Sequence, residues 1–288
     1  LVLIYLLTCQ YWPGMFHFKA FSLSRAVEIL YLSGDEGMFG FLTGISAEIL
    51  YIYILFAAVM TATGTGEFLI DFATFAAGWA RGGSAKISVL SSALYGTMSG
   101  STVANVYATG SFTIPLMKRS GFSPKESAAI EAIAGTGGQI MPPIMGAGSF
   151  IMAEITGIPY FKIITLAVIP AILYYLGVFC MVHFISIKRG ISAVPREERP
   201  SAKNILARSY YFIPFVPVLA LLAYGYSPAK AAFHSIWVSI VLSFVSRRTW
   251  LTPKKFLDAL SQAMVNAALI AAILAGSGMV VGTLTRTG

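Results

Sequence analysis

Charge is what this chain has least of. Of 288 residues, 11% are Asp, Glu, Lys or Arg and 57% are hydrophobic. A soluble domain carries about 25% charged residues, so a water-exposed surface on all sides is excluded and a polytopic membrane protein is implied. Cysteine is nearly missing as well. Cys9 and Cys180 lie far apart in apolar context, which excludes a disulfide framework. The three histidines, His17, His183 and His234, share no ligand spacing, so a His-based metal centre is not expected. The net charge of +8 forms no stripe. Its basic residues fall in short segments between apolar runs, a pattern of membrane topology and not of nucleic-acid binding.

The apolar runs divide the chain. LVLIYLLT at the start is too short to cross a membrane and lacks the charged start of a signal peptide. Residues 1–12 therefore read as the end of an earlier span, and the sequence as an internal segment of a longer protein. Residues 15–37, with Lys19, Arg25, Glu28, Asp35 and Glu36, read as an interfacial helix and loop. A span follows at about 38–62, carrying Glu48 as its one charge. In GEFLIDFATFAAGWA, residues 66–80, Phe68, Phe72, Phe75 and Trp79 recur at helical spacing and predict a helix lying along the membrane surface. Further spans are expected at about 160–187, 209–225, 229–246 and 262–285, separated by the basic segments 188–208 and RRTWLTPKK.

One uncharged run fits none of these. Residues 87–117 read ISVLSSALYGTMSGSTVANVYATGSFTIPLM, with ten Ser/Thr, Asn105, and Ser99-Gly100-Ser101 near the middle. As one helix it would measure roughly 46 Å, against about 30 Å of hydrocarbon. Folded at Ser-Gly-Ser, it becomes two half-depth helices meeting at a polar tip, a re-entrant hairpin. A second stretch is interrupted differently. Between Glu131 and Glu154 the sequence is uncharged and long enough to cross, but its middle is Gly135-Thr136-Gly137-Gly138-Gln139-Ile140-Met141-Pro142-Pro143. Glycines lower helix propensity and prolines remove donors, so two half-helices separated by extended chain are predicted.

Topology supports the hairpin. If the run returns to the side it left, Arg81 and Lys86 join Lys118, Arg119 and Lys125, the six basic residues of 188–208, and Arg247, Arg248, Lys254 and Lys255 on one side. That side then holds fifteen of the twenty Lys and Arg, as the positive-inside rule requires. TATGTG at Thr61–Gly66 and TLTRTG at Thr283–Gly288 share Thr-x-Thr-x-Thr-Gly, each at the end of a span. Five crossings between them would place the two in opposite orientation, the arrangement of an inverted repeat.

Helix breaks at membrane depth free backbone carbonyls for a cation and present helix N-termini to an anion. The tip, Ser99, Gly100, Ser101 and Thr102, with Asn105 one turn on, and the break Gly135-Thr136-Gly137-Gly138, held open by Pro142 and Pro143, could supply both. Small residues also simply allow close helix packing. That role is assigned to Ser88, Ser91, Ser92 and Ser111. Ion or substrate contact is assigned to Ser99, Ser101 and Asn105, which sit at the turn. Among the acids Glu48 is the one deep candidate, while Glu131 and Glu154 lie at the ends of their stretch, where headgroup exposure is the simpler reading. A membrane serine hydrolase would need a base near Ser99, and neither His183 nor His234 is placed for it. A passive channel would show a filter repeat or charge ring, and neither is present.

SALYGTMSGSTVANVYATGSFTIPLMKRSGFSP and EAIAGTGGQIMPPIMGAGSFIMAEITGIPY closely resemble the large membrane subunit of TRAP transporters, the tripartite ATP-independent periplasmic carriers. The likeness covers about residues 34–288 and is closest to the type in which small and large subunits are fused. It implies an all-α elevator-type carrier of the ion-transporter superfamily in the prokaryotic inner membrane, with no enzyme activity and no cofactor beyond a coupling sodium ion. Residues 34–187 would form the first inverted repeat, with hairpin 87–117 and broken helix 126–155. Residues 188–208 would be a cytoplasmic loop, 209–288 the start of a second repeat, and 1–33 the junction with a small-subunit region. Ser99, Ser101, Asn105, Gly135, Thr136 and Gly137 would surround sodium. Ser99, Gly100, Thr102, Gly138, Pro142 and Pro143 would meet the substrate, an organic acid delivered by a periplasmic binding protein. A carrier of the same architecture working without a binding protein stays open.

Overall fold

The computed structural model describes residues 2–246 and 249–287. Arg247 and Arg248 of the predicted basic segment, and Gly288 of the Thr/Gly echo, lie outside the described residues. No strand occurs among those described. Helices α1 (Val2–Thr8), α2 (Leu23–Val27) and α3 (Phe41–Ile45) come first, and α4 (Tyr51–Ala62) continues α3 through a π turn at Ser46–Leu50. Then follow α5 (Thr65–Ala77), α6 (Gly83–Ser99), α7 (Thr102–Arg119), α8 (Pro124–Thr136), α9 (Ala147–Thr156) and α10 (Tyr160–Arg189). The chain ends with α11 (Ala202–Ala207), α12 (Phe215–Ala223), α13 (Pro228–Ser243) and α14 (Pro253–Thr287).

Among the described residues, three helical runs are long and apolar enough to cross a membrane: Phe41–Ala62, Tyr160–Arg189 and Pro253–Arg286. They coincide with the spans expected at 38–62, 160–187 and 262–285. The spans expected at 209–225 and 229–246 are shorter than read. α12 has 9 residues and α13 has 16, so α13 measures roughly 24 Å against the ~30 Å of hydrocarbon. Hydropathy does not register the reasons. Pro214 opens α12 after a tight turn at Ser209–Phe212, the chain bends by 70° between Arg196–Ala207 and Ser209–Ala223, and Gly225 (φ +80°) ends the run.

Two compact units are present. In the first, Leu1–Ile52 with Ser261–Gly288, Leu6, Ala26 and Leu30 are buried together with Met279 of α14 packed on them. Arg286 Nε binds Glu36 Oε2 at 2.8 Å. Glu48 is exposed on the π turn.

The second unit, Tyr53–Leu260, holds the hairpin and the broken helix. α6 stops because Gly100 takes the left-handed conformation (φ +59°), with its N–H on the Gly96 carbonyl. α7 starts because the Ser101 hydroxyl accepts the Ala104 N–H at 3.4 Å. The Ser-Gly-Ser fold of the 87–117 run is thus a C-cap followed at once by an N-cap. Ala85, Val89 and Ala93 of α6, Met117 of α7, Ile130 and Ala134 of α8, and Tyr175, Val178 and Val182 of α10 form one buried core. α5 buries Phe68 and Leu69 against Tyr211, with Phe72 alongside. Phe75 and Trp79 are exposed while Phe68 is buried, so the four aromatics are not buried together in the core. The segment after α10 is tied to the turn before α6, through Gly82 N–H to the Ile191 and Ser192 carbonyls and Val194 N–H to the Gly78 carbonyl.

α8 opens on a capping box. The Glu126 N–H reaches the Ser123 hydroxyl at 3.2 Å, and the Ser123 N–H reaches Glu126 Oε2 at 3.0 Å. Arg189 at the end of α10 binds the other carboxylate oxygen at 2.5 Å. The Ser123 hydroxyl, its backbone N–H and the Arg189 guanidinium hold Glu126 below the ordinary carboxylate value of 4.5. A lowered carboxyl value stabilises the fold above the unfolded value, and that contribution is lost as pH falls through the lower, folded one. The thermal unfolding midpoint in detergent should therefore drop as pH is taken below about 4.5, and Glu126→Gln should flatten that part of the profile. An identical acid limb in Glu126→Gln would assign the loss to other carboxylates.

Candidate functional site

The tip of the hairpin rests on the break in the α8–α9 helix. A Cβ at Gly96 would stand 2.5 Å from Gly138 Cα, and one at Gly100 would stand 1.9 Å from the Met145 carbonyl oxygen. Only glycine admits backbones that close. Asn105, wholly buried, joins the same elements, since its Nδ2 donates to the Ser92 carbonyl at 2.9 Å and to the Gly135 carbonyl at 3.3 Å. The structure thus brings Gly96 and Asn105 of the hairpin onto Gly135 and Gly138 of the break, and Gly100 onto Met145, although the two motifs lie 30 or more residues apart.

The break itself is two half-helices and a connector. α8 ends at Thr136, a 3-10 turn occupies Gly137–Gln139, and residues 140–146 run without helix to the start of α9. The carbonyls of the last turn of a helix lack helical donors. Here side chains answer them: the Tyr174 hydroxyl donates to Ile133 at 2.7 Å, the Tyr175 hydroxyl to Ala134 at 3.1 Å, and Asn105 to Gly135. Beyond the turn, Tyr160 donates to the carbonyls of Pro143 (3.3 Å) and Ile144, and stacks on Phe150 with centroids 4.3 Å apart. Three tyrosines of α10 therefore hold the break open. Nothing in the local sequence of the break announces them.

The proposed ligands differ in what they have free. The Ser99 hydroxyl is buried and has no hydrogen-bond partner among the described residues. Ser101 is engaged as the N-cap of α7, where Thr102 is the first helical residue. The Asn105 amide nitrogen is committed, while its Oδ1 has only a 3.5 Å contact from the Thr109 hydroxyl. Thr136 is exposed and its hydroxyl returns to the Ala132 carbonyl at 2.8 Å, so a part in the site would fall to its own carbonyl. Gly137, Gly138 and Pro143 are buried and Pro142 half-buried.

Glu131 is where the sequence reading departs most from the structure. It is not at a headgroup surface but fully buried. Ser88 Oγ donates to its Oε2 at 2.7 Å, and Thr113 Oγ1 also donates to Oε2. Thr109 Oγ1 donates to Oε1, with Ser92 Oγ 3.4 Å away. Ser88 and Ser92, read as packing residues, are hydroxyl donors to this carboxylate. Ser91 bonds only to the Ser88 carbonyl, and Ser111 is exposed on the Ala108 carbonyl. The signal in the sequence was the pairing of hydroxyls at i and i+4 on both arms, Ser88/Ser92 and Thr109/Thr113, which puts two oxygen-rich faces opposite each other. Glu154 is exposed on α9.

A helical hairpin seated on a broken helix, among several helices able to cross a bilayer, defines a polytopic membrane protein of the transporter class. Residues 7–288 match the family described as Tripartite ATP-independent periplasmic transporter, DctM component, and the chain belongs to that family. It is 31% identical over 214 residues to the C4-dicarboxylate TRAP transporter large permease protein DctM of Pseudomonas aeruginosa, covering 72% of this chain and 49% of that protein. To the sialic acid TRAP transporter permease protein SiaT of Haemophilus influenzae it is 25% identical over 225 residues, 77% of this chain and 36% of that one. To the ectoine TRAP transporter large permease protein TeaC of Halomonas elongata it is 25% identical over 230 residues, with 78% and 53% covered. The chain thus spans about half, or less, of the length of the curated relatives it matches. It is a multi-pass protein of the inner membrane, and its relatives are permeases and not enzymes.

Close backbone approach carries a sharp consequence. Gly96→Ala forces its new methyl against Gly138 Cα, and overpacking of this kind costs about 1–3 kcal/mol. Gly148→Ala, in α9 with open space around it, should be neutral or stabilise by up to about 1 kcal/mol. Thermal unfolding of the two variants in detergent distinguishes them; equal stability would mean that the tip does not rest on the break.

Proposed function

We propose that this chain is part of the permease of a sodium-coupled carrier that takes up an organic acid handed over by a periplasmic binding protein. The observation that carries the proposal is the Ser99 hydroxyl, buried at the hairpin tip without a hydrogen-bond partner among the described residues. A buried polar group left unsatisfied points to a ligand that completes it. A sodium ion would be held by the Ser99 and Ser101 oxygens, Asn105 Oδ1 and the carbonyls of Gly135, Thr136 and Gly137. The substrate carboxylate would sit at the N-terminal end of α7, against Ser99, Gly100 and Thr102, with Gly138, Pro142 and Pro143 on the facing side. Helix N-termini favour negative charge there.

In this reading the hairpin and broken helix belong to the moving body of an elevator-type carrier, and residues 34–187 form the first of two inverted repeats. The hairpin 87–117 enters and leaves on one side of the membrane, 188–208 is a cytoplasmic loop, and 209–288 begins the second repeat. A small membrane subunit, fused ahead of residues 1–33 or separate, completes the permease. Two relatives are named for acids, a C4-dicarboxylate and a sialic acid, which supports a carboxylate substrate.

Uptake of radiolabelled C4-dicarboxylate and sialic acid by the complete permease in proteoliposomes, with its binding protein supplied, tests this directly. Uptake should require an inward sodium gradient, and Ser99→Ala should raise the half-saturating sodium concentration by about tenfold, the loss of one weak ligand. Equal uptake with choline in place of sodium would overturn the coupling. Uptake without the binding protein would favour the second reading, a carrier of the same architecture that works alone.

A further inference from the structure

We propose that the first unit carries a headgroup site for a zwitterionic, primary-amine phospholipid of the surrounding bilayer. The site lies within Leu1–Ile52 and Ser261–Gly288, and it uses none of the residues assigned to sodium or substrate.

An open groove of about 410 Å³ runs between α2, the chain that follows it and the last turn of α14. Clefts of this size hold small molecules. Close packing builds its walls. Gly37 (φ +79°) sits where a Cβ would stand 2.4 Å from the Ile29 carbonyl oxygen. On the other side, a Cβ at Gly278 of α14 would stand 2.3 Å from the Gly37 carbonyl oxygen, and one at Gly282 would stand 2.9 Å from its nitrogen. Three glycines therefore clamp this turn between the two helices, and the clamp brings Glu36 to Arg286 across 250 positions of sequence. A π turn at Glu28–Leu32 continues α2 and lines the groove with Glu28, Ile29 and Leu32. Widened turns of this kind are frequent at functional sites.

The lining carries both signs in equal measure, Arg25 and Arg286 against Glu28 and Glu36. Arg25 Nη1 meets Glu28 Oε2 at 2.7 Å, and Arg286 Nε meets Glu36 Oε2 at 2.8 Å. Each pair is joined through one donor and one oxygen, with no other side-chain hydrogen bond to these four groups among the described residues. A guanidinium has five N–H donors and a carboxylate two acceptor oxygens, so donors for a phosphate and acceptors for an ammonium remain side by side. An apolar strip borders them. Leu23, Val27 and Tyr31 recur at every fourth position and are exposed, Tyr31 meets exposed Phe39 edge to face at 5.3 Å, and Leu32 is 69% exposed. Exposed apolar surface beside a charged face is the signature of contact with a bilayer. The two together fit an amphiphile whose head carries a phosphate and an ammonium. An anionic head would set its phosphate against both carboxylates, and a quaternary ammonium has no N–H to donate to them. The Glu36–Arg286 pair also puts the start of the 38–62 span and the end of α14 on one side of the membrane. By the positive-inside assignment that side is the outer one, so the lipid belongs to the outer leaflet.

Native mass spectrometry of the complete permease, stripped of lipid in detergent and titrated with dioctanoyl phosphatidylethanolamine, reads the site. One lipid should bind about tenfold more tightly than dioctanoyl phosphatidylglycerol or phosphatidylcholine. Arg25→Gln should weaken phosphatidylethanolamine about tenfold, the loss of one charge-assisted contact, and Glu28→Gln should erase the preference over phosphatidylcholine. Both residues are about half exposed, so neither change should lower the thermal unfolding midpoint. Lys203→Gln, exposed and outside this unit, should bind as the wild type does. Equal affinity for the three lipids, or affinity unchanged in Arg25→Gln, would overturn the proposal and leave only non-selective boundary lipid. Two further results would do the same. Arg25→Cys that resists a water-soluble maleimide in the stripped permease would show the groove covered by other protein. Loss of binding-protein capture in Arg25→Gln, with lipid binding intact, would assign the groove to that partner.

Discussion

Inside the hydrocarbon of a bilayer no water can answer a backbone carbonyl, so a helix that breaks there has to be answered by protein. We place the interval from Gly137 to Gly146 at that depth, and its surroundings are explained by that one requirement. Tyr174, Tyr175 and Asn105 take the carbonyls at the end of α8, and Tyr160 takes those beyond the 3-10 turn. The hairpin closes the remaining side with glycines, because only a chain without Cβ atoms comes near enough to exclude other material. Glycine at 96, 100 and 138 and tyrosine at 160, 174 and 175 are thus two halves of the same solution.

Once the break is held, chemistry follows from what is left over. The side chains that keep the backbone satisfied are spent, and the ones that remain are few: the Ser99 hydroxyl, the Asn105 carbonyl oxygen and the N-terminal turn of α7. All three converge on the tip. About two to three turns from the tip along each arm, Glu131 and its ring of hydroxyls stitch both arms of the hairpin to α8. The hairpin is therefore no free flap. It is bonded to the broken helix at its tip and along its length, and the two behave as one packed body around a polar centre.

Much of this could be read from the chain before any fold was known. Ser99-Gly100-Ser101 in an uncharged run too long for one span marks a C-cap and an N-cap back to back. Gly135 to Gly138 with Pro142 and Pro143 mark the break, because both features are local and depend on backbone preferences. What escaped was whatever depends on a distant partner. Glu131 sits at the end of its uncharged stretch, and only the hydroxyl faces of α6 and α7 reveal why it is buried. The tyrosines of α10 look like ordinary span residues until the carbonyls they serve are in place. Hydropathy overstated the runs at 209–225 and 229–246, where Pro214 and Gly225 act through conformation and not through polarity. On α5, spacing placed Phe75 and Trp79 with Phe68, but the contacts of Tyr211 and Phe212 draw the buried face toward Phe68, Leu69 and Ala73.

The central claim is that hairpin and broken helix form one rigid body around the tip. A cryo-electron microscopy structure of the complete permease in lipid, determined once in sodium and once in a sodium-free buffer, tests it most directly. The account predicts that Gly96 stays on Gly138, Gly100 on Met145, and Glu131 among its four hydroxyls in both, with any movement carried by the body as a whole. A tip lifted away from Met145 in either condition, with Glu131 opened to water, would contradict it.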